Sequence, residues 1–303
     1  MSLKDSIEHW VPPGLITAGK FAVGKTPKQK IDQYLRNGRI PWSTGYKFYQ
    51  QKTVKEALQD QGLLNIFTLN TPLPKNFGLY LDERCVEYPW LFSRLPEKAC
   101  HILDAGSVLN FEYLLDHSYF AKRRLHIATL APEYNCFWNK GISYFFEDLR
   151  DLPIKDEFYD SIVCLSTLEH VGLDNAQYTQ DNHYSENRSS DYLLAVKELR
   201  RILKPGGELF ISVPFGKYQN FGEFQQFDAA LLTDTIAAFG PAQSIEKNYF
   251  KYSVDGWQVA TEANCADCEY VHNDEWLAQT PGKAKPSDRA AAARAVACVH
   301  ILR

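Results

Sequence analysis

The sequence has no long apolar run and no concentrated positive charge, and both absences limit what the protein can be. No stretch approaches the roughly 20 consecutive apolar residues of a membrane helix, and Lys4, Asp5 and Glu8 interrupt the amino terminus where a signal peptide needs its apolar core. Thirty-three basic against thirty-seven acidic residues give a formal net charge of −4. Because binding to a nucleic-acid backbone needs a basic surface, we expect no nucleic-acid partner, no membrane partner and a cytoplasmic location.

The seven cysteines lack the spacing of a disulfide framework, and their number is odd. Cys164 falls inside an apolar segment and is expected to be a core residue. Cys265 and Cys268 form a single Cys-x-x-Cys pair, for which His272 is one further candidate ligand and no fourth is evident. A structural zinc site needs four ligands, so no metal site is predicted.

The composition is that of a globular protein, with 45% hydrophobic and 23% charged residues in a chain of 303. Residues 1–84 have a polar, proline-containing start and then a stretch from Lys47 to Phe67 with apolar residues at helical spacing. We therefore predict two parts, a helical amino-terminal extension or cap over 1–84 and a second domain over 85–303. The residues expected to form the apolar face of the cap are Phe48, Val54, Ala57, Leu58, Leu63 and Leu64.

From His101 onward, apolar segments of strand length alternate with helical or loop segments. This alternation predicts an α/β fold with a Rossmann-like, doubly wound sheet of seven strands. The predicted strands are 101–106, 125–130, 142–147, 159–166, 207–214, 246–252 and 295–302. Helices are predicted at 89–98, with Pro89 as a first helical residue, and at 109–117, 134–140, 190–203 and 227–239. The segment from Ser253 to Lys285 is predicted to be irregular.

Polar residues follow the strands at their carboxyl ends, where parallel sheets bind ligands. The first strand runs into Asp104-Ala-Gly-Ser-Val-Leu-Asn110, and the third into Asp148-Leu-Arg-Asp-Leu-Pro153. Ser166-Thr-Leu-Glu-His170 ends the fourth strand, and Leu203-Lys-Pro-Gly-Gly207 precedes the fifth. In order and spacing these segments resemble the motifs of the class I S-adenosylmethionine-dependent methyltransferases, over roughly 85–303. The first motif departs from the family pattern because only Gly106 remains of its glycines.

The resemblance implies S-adenosylmethionine as the cofactor and assigns residues to it. The turn after the first strand would hold the methionine part of the cofactor, with a backbone that Gly106 leaves open to close approach and a hydroxyl donated by Ser107. The family's last strand runs antiparallel to the others. The cofactor-binding candidates are Asp104, Ala105, Gly106, Ser107, Asn110, Thr129, Asp148, Leu149 and Ser166.

The cofactor's ribose and adenine are assigned to the ends of the second and third strands. An acidic residue usually accepts the ribose hydroxyls there, but Thr129 occupies that place in this chain, with Glu133 nearby as an alternative. Asp148 matches the family's acceptor for the adenine amino group, Leu149 would offer its backbone N–H to the ring, and Asp151 is an alternative to Asp148.

Methyl transfer to oxygen or nitrogen needs an aligned donor and acceptor and the removal of one proton. His170 follows the fourth strand, and an imidazole suits that proton transfer. Glu169 would orient His170 or contact the substrate. The catalytic candidates are therefore His170 and Glu169.

The loop from Asp174 to Asp191 is rich in polar and aromatic residues and is interpreted either as a substrate lid or as a solvated insertion. A lid of this composition suits a small-molecule or saccharide acceptor methylated at oxygen. An inactive ligand-binding or scaffold protein of the same fold is the alternative. A nicotinamide oxidoreductase is disfavoured because Gly-x-Gly-x-x-Gly is missing. The sequence leaves the oligomeric state open between a monomer and a homodimer.

Overall fold

The computed structural model describes residues 25–272, 276 and 285–303 of the chain. The predicted polar start over residues 1–24 lies outside the described residues. Within those ranges, no helix combines the length and the apolar character that are needed to cross a membrane.

Helices fill the first part of the described chain and then alternate with strands. Thr26 caps the first helix in a capping box, because its hydroxyl accepts from the Gln29 N–H while the Gln29 side chain accepts from the Thr26 N–H. The helices are α1 Pro27–Arg36, α2 Tyr46–Gln59, α3 Gln61–Leu69, α4 Arg84–Phe92, α5 Glu112–Leu115, α6 Ala176–Thr179, α7 Tyr192–Ile202, α8 Ala229–Phe239 and α9 Glu262–Cys265. Short 3₁₀ turns lie at Ser118–Lys122, Trp138–Lys140, Leu168–His170 and Asn182–Tyr184.

The strands form one large sheet and one small hairpin. They are β1 His101–Ala105, β2 Arg124–Thr129, β3 Ser143–Phe146, β4 Tyr159–Leu165, β5 Leu203–Pro214, β6 Gln219–Asn220, β7 Gln225–Gln226, β8 Ser244–Ser253, β9 Gly256–Ala260 and β10 Ala295–Leu302. The large sheet has the order β3-β2-β1-β4-β5-β10-β8-β9, and β6 pairs only with β7. Strands β1 to β5 are parallel, and β10 runs antiparallel to its neighbours β5 and β8. The doubly wound sheet and its antiparallel last strand are confirmed.

The large sheet has eight strands rather than the predicted seven. The additional strand, β9, pairs antiparallel with β8 through a tight turn in which Gly256 has a φ of 88°. A glycine after Asp255 is a hairpin signal because it tolerates positive φ. The prediction of irregular structure from Ser253 onward was wrong at this point, since the buried Trp257 makes the segment a packed edge strand.

Three helix predictions were wrong in extent. The helix predicted at 89–98 is α4, which begins at Arg84 and contains Pro89 in its interior. An interior proline lacks the N–H that would bond to the carbonyl four residues earlier and crowds that carbonyl. The helix continues through Pro89, with buried residues on both sides of it. The helix predicted at 109–117 is shortened to α5 because Phe111 is extended. The helix predicted at 134–140 is a 3₁₀ turn.

Helices cover both faces of the sheet. On one face, α2, α3 and α4 pack with strand residues such as Ile102, Val163 and Phe210. On the other face, α7 and α8 pack with Leu103, Ile162 and their neighbours. The predicted apolar face of the amino-terminal segment is largely buried, as seen for Val54, Ala57, Leu58 and Leu63. The amino-terminal helices therefore lie over the sheet near its strand ends.

Candidate active site

A large cavity opens at the carboxyl ends of the parallel strands. Its volume is about 950 Å³, at the upper end of the roughly 300–1,000 Å³ that small-molecule and cofactor sites occupy. The amino-terminal helices close part of it, because Trp42, Tyr46 and Lys47 line the same cavity as the strand ends. The segment between α1 and α2 is bonded to the segment before β10, because Trp42 Nε1 donates to the Ala291 carbonyl at 2.6 Å. The cavity is therefore bounded by both parts of the chain.

The turn after β1 is shaped by Asp104, whose fully buried carboxylate accepts the Val108 and Leu109 N–H groups at 3.1 and 2.7 Å. Burial raises the pKa of this carboxyl to about 8, and the two backbone N–H groups oppose that rise. Gly106 has a φ of 114°, and a Cβ there would lie 2.1 Å from Thr167 Oγ1. Only glycine fits this position. The hydrogen bonds to Asp104 and the close approach of Thr167 therefore fix the conformation of this turn.

Ser107 and Ser166 hold the left-handed backbone conformation that is unusual for a residue with a side chain. Their φ angles are 63° and 39°, they follow the neighbouring strands β1 and β4, and both line the cavity. Such conformations cost of order 1–3 kcal/mol each and concentrate at functional sites. This strain marks the ends of β1 and β4 as the centre of the site.

The end of β2 carries the hydroxyl of Thr129, which hydrogen-bonds to the Tyr178 hydroxyl at 2.7 Å. Glu133 also lines this corner, and its Oε2 accepts from the Asn110 amide at 2.6 Å. The Glu133 carboxylate lies near the Ser107 hydroxyl, yet Glu133 Oε1 and Ser107 Oγ both lack a well-formed hydrogen bond among the described residues. Burial raises the pKa of Glu133.

After β3, the carboxylate of Asp148 is held by Arg150. The guanidinium donates to both carboxylate oxygens, from Nε at 3.0 Å and from a terminal nitrogen at 2.6 Å. Arg150 also pairs with Glu186 and Asp191, at 2.8 and 2.7 Å, so it connects the β3 end to the 174–191 loop. Asp148 and Leu149 line the cavity, whereas Asp151 lies outside its lining.

The amino end of α4 contributes charged residues to the cavity. Glu87 is fully buried and accepts hydrogen bonds from Ser166 Oγ and Ser212 Oγ, both at 2.6 Å, and from Arg84 at 2.8 Å. Glu83 and Arg84 line the cavity. Burial raises the pKa of Glu83 to about 8, with Asp82 and Glu87 adding to the rise.

Glu169 and His170 lie in the 3₁₀ turn after β4, and both line the cavity. Glu169 is 3% exposed, and its Oε2 has no hydrogen-bond partner among the described residues. Burial raises its pKa well above the ordinary value. His170 Nδ1 lies 2.9 Å from the Glu223 carbonyl, which makes Nδ1 the protonated nitrogen, and burial lowers the pKa of the imidazole. The ring is therefore neutral near pH 7 and has Nε2 as its basic nitrogen.

The loop from Asp174 to Asp191 reaches the cavity with Tyr178, Tyr184 and Glu186. From the segment after β5, Pro214 and Phe224 line the cavity, whereas Phe215 and Phe227 belong to the core. Cys265 and Cys268 are buried free thiols, and no group of residues suited to holding a metal ion occurs in the described parts of the chain. Cys164 is a core residue, as predicted.

The predicted site residues divide into two groups. Those that line the cavity are Gly106, Ser107, Thr129, Asp148, Leu149, Ser166, Glu169 and His170. Asp104, Ala105 and Asn110 are buried behind it. Sequence reasoning missed Glu83 and Arg84, because it began α4 at Pro89 and so assigned the charged residues before it to no element. The run Asp82-Glu83-Arg84 ahead of an apolar segment was the available signal.

A comparison with known protein families supports the predicted class of domain. Residues 119–211 match the model of a family described as a methyltransferase domain. This match covers β2 to β5 and the turn that carries Glu169 and His170. The match covers 93 of the 303 residues and agrees with the predicted resemblance to methyltransferases over this part of the chain. The match supports S-adenosylmethionine-dependent methyl transfer as the chemistry. No curated protein sequence matches the chain.

Solved structures of low sequence identity share parts of the fold. A SAM-dependent methyltransferase from Thermotoga maritima is 12% identical, covers 91% of this chain and 99% of its own, and has a TM-score of 0.43. The 1,6-didemethyltoxoflavin-N1-methyltransferase of Burkholderia thailandensis, solved with S-adenosylhomocysteine, is 13% identical and covers 93% of this chain and 92% of its own, with a TM-score of 0.42. A methyltransferase from Haloferax volcanii in complex with its Trm112 activator is 15% identical, with coverages of 69% and 84% and a TM-score of 0.41.

The residues at the cavity suit the cofactor. The unpaired Glu133 Oε1 offers an acceptor for ribose hydroxyls beside Thr129. At Gly106 the backbone borders the cavity directly, because glycine has no side chain. The Arg84 guanidinium also lines the cavity and suits the carboxylate of the cofactor's methionine part. The volume also leaves room for an acceptor molecule next to the cofactor.

Proposed function

We propose that the protein transfers a methyl group to oxygen on a small-molecule or glycan-type acceptor. The observation that carries this proposal is the cavity of about 950 Å³ at the strand ends, lined by six of the nine predicted cofactor residues and by His170. When bound, S-adenosylmethionine supplies an electrophilic methyl group on a sulfonium. The chain has to bind both molecules, align them and accept one proton from the acceptor.

We assign cofactor binding to the ends of β1, β2 and β3. The turn at Gly106 and Ser107 holds the methionine part, with Arg84 as the partner of its carboxylate. Glu133 and Thr129 accept the ribose hydroxyls, so Glu133 takes the role that the acid at the end of the second strand has in the family. Leu149 contacts the adenine, and Asp148 acts there through its ion pair with Arg150. Asp104 is a positioning residue for the turn.

We assign the proton transfer to His170. Its bond to the Glu223 carbonyl fixes the tautomer, and its lowered pKa keeps Nε2 unprotonated at neutral pH. Deprotonating a hydroxyl is the harder requirement when oxygen is the methylated atom, so a positioned neutral imidazole supports that choice. The hydroxyls of Tyr178 and Tyr184 from the 174–191 loop supply hydrogen bonds suited to a polar acceptor.

A turnover assay tests this function. Purified protein is incubated with S-adenosylmethionine and a panel of small hydroxylated compounds, and formation of S-adenosylhomocysteine is followed. We expect acceptor-dependent turnover and a methyl ether in the product by mass spectrometry and NMR. His170→Ala should lower kcat by about 10²-fold or more while leaving S-adenosylhomocysteine binding unchanged. Methylation at nitrogen would refute the oxygen assignment, and unchanged turnover in the variant would remove His170 from the mechanism.

The inactive scaffold remains a second candidate because two expected cofactor contacts are already engaged within the protein. Thr129 is bonded to Tyr178, and Asp148 is bonded to Arg150. A scaffold of this kind would bind neither S-adenosylmethionine nor S-adenosylhomocysteine. Calorimetric titration with both compounds separates the two candidates, since binding of either one contradicts the degenerate site.

A further inference from the structure

One wall of the cavity contains more carboxyl groups than basic groups. Asp82 is paired with Lys47 at 3.3 Å, and Glu87 is paired with Arg84 at 2.8 Å. Two further carboxylates, Glu83 and Glu169, line the cavity, and each has a buried Oε2 without a hydrogen-bond partner among the described residues. We call Glu83 and Glu169 the acidic pair.

The two members of the acidic pair lie close enough to affect each other. Burial is the main cause of the raised pKa of Glu169 and of Tyr270; the charge of Glu83 adds to both, and the charge of Glu169 adds to the pKa of Tyr270. A buried carboxylate without a partner is unfavourable. A bound cation would relieve that cost by pairing with it, provided that its remaining hydrogens also find acceptors.

Glu169 lies toward the acceptor side of the cavity. Glu169 follows β4, and the sheet order places β4 on the opposite side of β1 from β2 and β3. The residues assigned to ribose and adenine follow β2 and β3. Glu169 therefore faces the part of the cavity next to the cofactor site rather than the adenosyl end.

Aromatic rings line the same part of the cavity. Tyr270 and Phe224 both line it, and their ring centroids lie 4.8 Å apart at an interplanar angle of 58°. Such rings attract a cation that approaches their faces, most strongly when water is excluded. Carboxylates and aromatic rings together form the usual environment for a bound ammonium group.

We propose that the acceptor carries a protonated amino group and that the acidic pair, together with Tyr270, holds this group in the cavity. The inference rests on the proposed function and narrows its substrate class to hydroxylated amines, such as amino sugars. The ammonium would donate to Glu83 Oε2 and Glu169 Oε2, which places a neighbouring hydroxyl of the acceptor within the same cavity as His170. A metal ion is a poorer occupant because no metal-binding group was found among the described residues.

The first test compares charged and uncharged ligands of the same shape. Glucosamine, galactosamine and ethanolamine, each with its N-acetyl derivative, are titrated into the wild-type protein by calorimetry, with and without S-adenosylhomocysteine. We expect at least one amine to bind and its N-acetyl derivative to bind at least about tenfold more weakly. A panel in which no amine binds more tightly than its N-acetyl derivative overturns the proposal.

The second test assigns the binding to the acidic pair. Glu169→Gln and Glu83→Gln keep the side-chain shape and remove the charge, and Glu147→Gln makes the same change at an exposed position outside the cavity lining. We expect each of the first two variants to lose at least about tenfold in amine affinity, and the control to match the wild type. Unchanged amine affinity in both cavity variants contradicts the proposal.

Titration of S-adenosylhomocysteine into the same variants separates this inference from the proposed function. We expect its affinity to change by less than about twofold in Glu169→Gln, because Glu169 lies toward the acceptor. A large loss of S-adenosylhomocysteine affinity, with amine affinity retained, would assign the pair to the cofactor and overturn the inference. Absence of S-adenosylhomocysteine binding in the wild type would tell against the proposed function, while the titration of amines alone would still decide the present inference.

Discussion

At the scale of single residues, the site combines carboxylates with different tasks. Asp104 shapes a turn, Glu133 faces the cavity beside Thr129, and Glu169 lies unpaired after β4. Burial raises the pKa of all three. Their differences arise from their partners, since only Asp104 has both oxygens bound to backbone N–H groups.

The first prediction concerns Glu133. Glu133→Gln should weaken the binding of S-adenosylhomocysteine by about tenfold, because a hydrogen bond to a charged acceptor contributes roughly 1.5–3 kcal/mol. Calorimetry measures the affinity, and Glu147→Gln serves as the control. An affinity equal to that of the wild type would mean that Glu133 does not contact the ribose and that Thr129 is sufficient.

The second prediction concerns the pH dependence of stability at Asp104. Its folded-state pKa of about 8 lies above the ordinary value, so the folded protein retains a proton that the unfolded chain has released. The stabilisation from this group is complete at low pH and is lost as the pH rises toward 8. The stability advantage of the wild type over Asp104→Asn should therefore shrink between pH 5 and pH 8.5, by at most about 1.4 kcal/mol per pH unit.

Denaturant titrations of both proteins at each pH provide that comparison. Using the difference between the two proteins removes the contributions of other titrating groups, such as the histidines with lowered pKa. A difference that stays constant or grows with pH would contradict the assignment of a raised pKa to Asp104.

At the scale of elements, the sequence predicted the central strands well because each is a buried apolar run with a polar end. It predicted β10 in the correct place and the antiparallel direction through the family resemblance. It failed where short-range signals compete with packing. Pro89 suggested a helix start, but the buried residues before it extend α4 back to Arg84. The hairpin of β8 and β9 was missed although the glycine after Asp255 was a turn signal in the sequence.

The sequence predicted part of the site, for the same reason that it predicted the central strands. Residues at strand ends could be found, since the alternation of segments fixes where strands end. The sequence could not predict the ion pair between Asp148 and Arg150 or the contact between Thr129 and Tyr178. These side-chain partners depend on the path of the 174–191 loop. The contribution of Arg84 also required the position of α4.

The third prediction concerns the attachment of that loop. Arg150 is 15% exposed and joins Asp148 to Glu186 and Asp191. Arg150→Gln should increase hydrogen exchange of the backbone amides in residues 174–191 by about tenfold or more, because it leaves partly buried carboxylates unpaired. Mass spectrometry of peptides from the loop measures this exchange.

Arg188→Gln is the matched control, since Arg188 contacts the same two carboxylates but is 59% exposed. Exposed ion pairs contribute little, so exchange in this variant should remain close to that of the wild type. Equal exchange in both variants, or an effect spread over the whole sheet, would show that Arg150 does not anchor the loop.

At the scale of the whole molecule, the cavity depends on the amino-terminal helices as well as on the sheet. Tyr46 lines the cavity, and its hydroxyl oxygen accepts the Asp82 N–H at 2.8 Å. Trp42 is bonded to the Ala291 carbonyl before β10. Through these contacts the cavity wall around the start of α2 is packed against later parts of the chain. The cavity is therefore lined by residues from distant parts of the sequence.

The central claim is that the cavity at the strand ends binds the methyl donor. Calorimetric titration of the full chain with S-adenosylhomocysteine at pH 7.5 tests it most directly. The account predicts saturable binding of one molecule per chain, weakened in Glu133→Gln and unaffected in Glu147→Gln. No detectable heat of binding, together with no thermal stabilisation by a large excess of S-adenosylhomocysteine or S-adenosylmethionine, would contradict it.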